Sequence, residues 1–204
     1  MPKGSLQLFL DDSRNSSIPF LLSSTKRYII LLGIALGMNY LHSKNIICRD
    51  LNPSDILLNE NYFPHICNIT NSIQSDQLLK DNALTSYYIA PEIKTDESYT
   101  NKVDIYSFSV IFYELLTNKR PPIQISEIQG EYNKFFICRC HSSDPSERPS
   151  FEEIIHFLVT DGLKNLYEEI DIDEVFKFLD IFGDDAEIMN IRGLILHVMS
   201  NGND

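Results

Sequence analysis

The stretch Asp104 to Leu116, DIYSFSVIFYELL, constrains this chain more than any other. Read as a helix it is apolar on nearly every face, and such a helix is stable only when neighbours bury it all round. The pair Pro121-Pro122 is expected to end it, because proline lacks an amide hydrogen and clashes with the preceding turn. A chain of 204 residues is about one domain, long enough to enclose such an element. A packing partner lies upstream, where Ile30, Ile34, Met38 and Leu41 recur at helical spacing and Leu31 and Ala35 widen the stripe. Ser23 or Ser24 offers that helix an N-cap hydroxyl. Gly33 and Gly37 mark a close approach to a neighbour. The apolar run from Ile29 to Leu41 is too short for a membrane span and holds Asn39.

Charge excludes some partners. With 17 Lys/Arg against 29 Asp/Glu the net charge is −12, which argues against nucleic acid or an anionic membrane surface. Residues 161–204 carry a net −8, so a body and an acidic tail are expected. Within the tail, Val175, Phe176, Leu179 and Phe182 form one helical stripe, and Ile188, Ile191, Ile195 and Val198 another. Asp171-Ile172-Asp173 lacks the glycine and closing glutamate of a calcium loop. Cys48, Cys67, Cys138 and Cys140 show no metal-ligand spacing, so reduced core thiols and a cytoplasmic setting are expected. The apolar run Leu6 to Leu10 stops at Asp11 and Asp12, too short for a secretion signal.

The chemistry concentrates between Tyr40 and Ser72. An Arg49-Asp50-Leu51 turn is followed by a second carboxylate at Asp55, an apolar run Ile56-Leu57-Leu58, a polar turn at Asn59 to Asn61 and a second strand-like piece, His65 to Asn68. Cys48 to Asp55 resembles the catalytic loop of protein kinases, H-R-D-L-K-x-x-N, and Asn68-Ile69-Thr70 falls where D-F-G belongs. The resemblance implies that Asp50 orients and deprotonates a substrate hydroxyl and that Leu57 floors the adenine site. Four chemically important positions depart from the pattern, and Ile69 and Thr70 stand in place of the phenylalanine and glycine. Asn52 replaces the loop lysine, removing a cation beside the transferring phosphate. Asp55 replaces the metal-binding asparagine and remains a competent magnesium ligand. Asn68 replaces the metal-binding aspartate with an uncharged amide. Cys48 replaces histidine and still fills an apolar packing position.

The likeness continues downstream. Thr85 to Glu92 resembles the end of an activation segment closing on A-P-E, with Thr85 in the place that serine/threonine kinases point at the catalytic aspartate. Ser72, Ser75, Thr85, Ser86, Tyr87 and Tyr88 are candidate phosphorylation sites, though a hydroxyl-rich loop is a sufficient reading. Asp104 resembles the aspartate that braces the catalytic-loop backbone, with Ser109 in place of a glycine later in the same helix. Cys140 to Phe151 is similar to C-W-x-x-D-P-x-x-R-P-S-F, with His141 for tryptophan, and implies a buried pair between Arg148 and Glu92. Arg49 belongs to the same structural set.

Met1 to Leu6 resembles the segment after the kinase hinge. The resemblance therefore implies a mainly α, kinase-like C-terminal lobe with short β hairpins over residues 1–158, no N-lobe, and an acidic helical extension over 159–204. The expected function is a catalytically impaired pseudokinase acting as a binding or regulatory module in signalling, with protein partners. The alternative is an active serine/threonine kinase using Asp50 and Asp55, its N-lobe outside this sequence. No cofactor is expected for this chain alone, and ATP with magnesium only if an N-lobe is supplied and activity survives.

Overall fold

The computed structural model describes residues 2–17, 21–67, 87–94, 100–167 and 169–200. Among them the order is α1 (Leu6–Asn15), α2 (Ser24–Ser43), β1 (Ile56–Leu58), β2 (Pro64–Ile66), α3 (Lys102–Thr117), α4 (Glu131–Cys140), α5 (Phe151–Phe157), α6 (Leu163–Asn165), α7 (Ile172–Leu179) and α8 (Ala186–Ser200). One π-helical turn, Leu158–Gly162, joins α5 to α6. The chain is mainly helical, as expected, with a small two-stranded antiparallel sheet among the described residues.

Helix α3 is buried as its composition demands: Val103, Ile105, Phe108, Val110, Ile111, Phe112, Tyr113 and Leu115 are all inaccessible or nearly so. Its end differs from expectation. Asn118, in the left-handed conformation at φ 58°, donates its amide to the Glu114 carbonyl at 2.8 Å. The helix therefore stops at a left-handed cap three residues before Pro121.

Helix α2 begins at the Ser23 cap, whose hydroxyl accepts from the Lys26 amide. It is buried on more faces than one stripe requires, Tyr28 to Leu32 included. The two glycines explain how. A Cβ on Gly33 would lie 2.5 Å from the Pro64 ring and 2.9 Å from Phe178, and one on Gly37 would lie 2.9 Å from Ile66. Those hydrogens let β2 and α7 seat directly on the helix backbone.

The tail belongs to the same hydrophobic core. Val175, Phe178, Leu179, Ile188, Ile191 and Ile195 are buried within it, Lys26 Nζ meets Glu174 at 2.5 Å, and the Asp171 amide donates to Thr25 Oγ1 at 2.9 Å. The first tail stripe is corrected in register. Helix α7 ends at Leu179 and tightens into a 3-10 turn over Asp180–Phe182, so Phe178 takes the core position and Phe182 is exposed. Asp171 serves as the N-cap of α7, accepting from the Glu174 amide. Among the cysteines Cys140 is buried, Cys48 and Cys67 are half-buried, and Cys138 is exposed rather than in the core. No described helix is long and apolar enough to cross a membrane.

Candidate active site

The loop between α2 and β1 is built on one buried carboxylate. Asp104, in the first turn of α3, has no solvent exposure. Its Oδ1 accepts from the Arg49 amide at 2.8 Å and its Oδ2 from the Cys48 amide at 3.0 Å. His42 Nε2, from the last turn of α2, lies 2.8 Å from the same Oδ2. Arg49 is thereby held at φ +68°, a region that costs a non-glycine residue about 1–3 kcal/mol unless its surroundings enforce it. Asp104 thus braces the loop backbone from below. The sequence signal for His42 is slight: a polar residue in the last turn of an otherwise apolar helix, six positions before Cys48.

Above this base the loop turns through a 3-10 segment, Pro53–Asp55, capped by Asn52. Asn52 is only 8% exposed. Its Oδ1 accepts from the Ser54 amide at 2.9 Å, while its Nδ2 donates to the Asp50 carbonyl at 2.9 Å and to Asp55 Oδ2 at 2.7 Å. Asp50 is exposed at the rim. Partial burial of its carboxyl, and then the negative charge of Asp55, push it up to about 6 against a weaker opposing pull from Asn52. Burial, with Asp104 and Asp55 adding to it, pushes the Cys48 thiol up to about 12, so it stays protonated.

Leu57 sits at the centre of β1, opposite His65 of β2. On its other side the N-terminal segment lies antiparallel, with a bridge from Ser5 to Leu57 and the Leu58 amide donating to the Gly4 carbonyl at 2.9 Å. Gly4 takes φ +76°, which glycine alone adopts without strain. Asp55 is the described residue of the proposed metal pair, and one of its oxygens is occupied by the Asn52 amide. Among the described residues no three His, Cys, Asp or Glu side chains converge as a metal site. Asn68 and Thr85 lie outside the described residues, as do Ile69, Thr70, Ser72, Ser75 and Ser86.

The remaining predicted pair is formed. Arg148, 1% exposed, grips Glu92 with both terminal nitrogens, at 2.6 and 3.0 Å. It also donates to the carbonyls of Lys102 and Ser142 and lies over the Tyr106 ring. Three features were not anticipated. His141 stacks on Tyr106 with centroids 4.1 Å apart, and its Nδ1 lies 2.8 Å from Ser109 Oγ. The two departures from the family pattern in this region are therefore in contact. Burial, with Arg148 nearby, holds the His141 imidazole down at about 4. Glu114 on α3 accepts from Arg14 of α1 at 2.6 Å and from the Tyr88 hydroxyl. Tyr88 is only 6% exposed, which withdraws it from the candidate phosphorylation sites, whereas Tyr87 is exposed.

Comparison with known proteins agrees with this geometry. The protein kinase domain family matches residues 1–158. The chain belongs to the protein kinase family. A serine/threonine/tyrosine-protein kinase of Arabidopsis thaliana is 33% identical over 178 residues, covering 78% of this chain and 45% of that protein. An RGS domain-containing serine/threonine-protein kinase of Dictyostelium discoideum is 35% identical over 173 residues, 76% of this chain and 15% of its own length. A dual specificity protein kinase of the same organism is 30% identical over 192 residues, 80% of this chain and 29% of its own. This kinase chain therefore spans less than half the length of these relatives.

Proposed function

We propose that this kinase-family chain is impaired in phosphoryl transfer and acts as a binding or regulatory module in cytoplasmic signalling. The placement of Asn52 carries the reading. A lysine there would set a cation against the transferring phosphate. Asn52 is neutral, turned down into the loop, and commits its amide to Asp55, covering a carboxylate oxygen that a magnesium ion would need. The sequence adds Asn68, uncharged where the family's metal aspartate stands. Loss of one preorganised electrostatic group costs about 10²–10³ in rate, and such losses do not simply multiply.

A second reading, an active serine/threonine kinase, is favoured by Asp50, which is exposed over an intact Asp104 brace. A chimera carrying the N-lobe of an active relative separates the two. Assayed with ATP and magnesium, it is expected to be inactive as it stands and active with Asn68→Asp plus Asn52→Lys. Robust activity of the unreverted chimera, lost on Asp50→Asn, overturns the proposal.

A further inference from the structure

A groove of about 900 Å³ lies open between α4 and α8, and its lining shares no residue with the Asp50 loop. Folding accounts for the buried part of its lining, Ile191 included, but not for the exposed side chains of α4. Tyr132, Phe135 and Arg139 line it from one face of α4 at helical spacing, with Tyr132 59% and Phe135 65% exposed. Opposite, α8 contributes Glu187, Ile191 and Leu194, again one helical face, over a floor that includes Phe157 and Val159. The groove is apolar inside and acidic at its rim, where Glu152, Glu153, Asp161 and Glu187 face a single guanidinium, Arg139, itself 3.9 Å from Glu153.

We propose that this groove docks an amphipathic helix of a partner protein, apolar on one face and bearing Lys or Arg along its flanks. Two helical walls present side chains and no free strand edge, so an extended peptide would find no backbone ladder, whereas a helix satisfies its own amides. The acidic rim on a chain of net charge −12 selects cationic flanks and repels a second copy of the chain. The inference does not depend on whether Asp50 transfers phosphate.

The test uses the full chain and a labelled synthetic helix with Leu at i, i+3, i+4 and i+7 and Lys on the flanks, beside a counterpart with Glu for each Lys. Fluorescence anisotropy should show saturable binding of the Lys helix, weakening with salt, and none of the Glu helix. Phe135→Ala, at an exposed position that leaves the fold intact by melting, should weaken binding about tenfold. Glu152→Lys should weaken it too, while Asp173→Lys, exposed and outside the groove, should not. The proposal fails if the Lys helix does not saturate at millimolar concentration. It also fails if Phe135→Ala has no effect, or if Asp173→Lys acts as strongly as Glu152→Lys, since attraction would then be general. Sedimentation showing a dimer that Phe135→Ala dissolves overturns it in favour of a second copy.

Discussion

The base and the rim of the catalytic loop are built by different rules. At the base, Asp104 has no exposure and holds two consecutive amides and His42, while Arg148 clamps Glu92 and two carbonyls. At the rim, Asp50 faces solvent, and a neutral side chain, Asn52, ties the turn to Asp55. Asp104, Glu92 and Arg148, whose loss would strand buried polarity, match the family. At the rim the pattern is mixed: Asp50 matches the family and Asn52 departs from it. Scaffold and chemistry draw on different atoms in this loop.

The difference predicts an ordered set of destabilisations. Arg148→Ala should be the largest, because it leaves Glu92 and two carbonyls without their donor; about 3–5 kcal/mol is expected. For a domain of this size that lowers the melting temperature by on the order of 10 °C. Melting unchanged from the parent would show that the clamp is decorative and dissolve the distinction between base and rim. Asp104→Ala should follow at roughly 3 kcal/mol, since the Cys48 and Arg49 amides lose their acceptor. Hydrogen exchange at those two amides checks the cause, and protection equal to the parent's refutes it.

A middle case sharpens the comparison. Ser109 and His141 both depart from the family pattern, yet they lie in the base and touch. His141→Trp should cost about 1–3 kcal/mol through overpacking against Ser109, and Ser109→Gly about 1 kcal/mol through helix entropy and the lost hydrogen bond. Together they should cost less than their sum by about 1 kcal/mol. Strict additivity in chemical denaturation would mean that the contact is not a compensated pair. The same imidazole has a pH signature. Its pKa is held down at about 4, so between pH 6.5 and 4 the unfolded chain takes up a proton that the folded chain refuses. Its stabilising share is complete above that window and is lost as the pH falls through it. His141→Phe should flatten that part of the acid limb.

Much of the base was legible in the sequence because long-range pairs there sit inside dense motifs: Glu92 with Arg148, and Asp104 with the loop. The apolar helices were legible from composition alone. What escaped had no local signature. The Ser109–His141 contact joins positions 32 apart, and only the coincidence of two departures pointed to it. The Arg14–Glu114–Tyr88 chain places α1 against the C-terminal half of α3 through charges that read as surface in a linear scan. Phe178 was missed because an eight-residue helix that tightens after Leu179 carries its stripe through a different register than the extended pattern. Asn118 gives no warning of a left-handed cap in the sequence, where Pro121 is the visible stop.

The smallest effect is the most discriminating. Asn52→Lys removes the cap on the Ser54 amide and the bond to Asp55, and it adds a cation at the rim. Loss of an N-cap costs about 1 kcal/mol. Melting should therefore fall by only about 2–4 °C. The ionisation of Asp50 should move more than the stability does. Desolvation and Asp55 now hold its carboxyl up at about 6, and a nearby ammonium favours the carboxylate, so its midpoint should drop towards ordinary aspartate values. Carboxyl-carbon NMR across pH 3 to 8 reads this directly. A large loss of stability, comparable to Arg148→Ala, would make Asn52 part of the scaffold and erase the division between base and rim. An unmoved Asp50 midpoint with intact folding would show that position 52 does not set the rim's charge, removing the main support for impaired phosphoryl transfer.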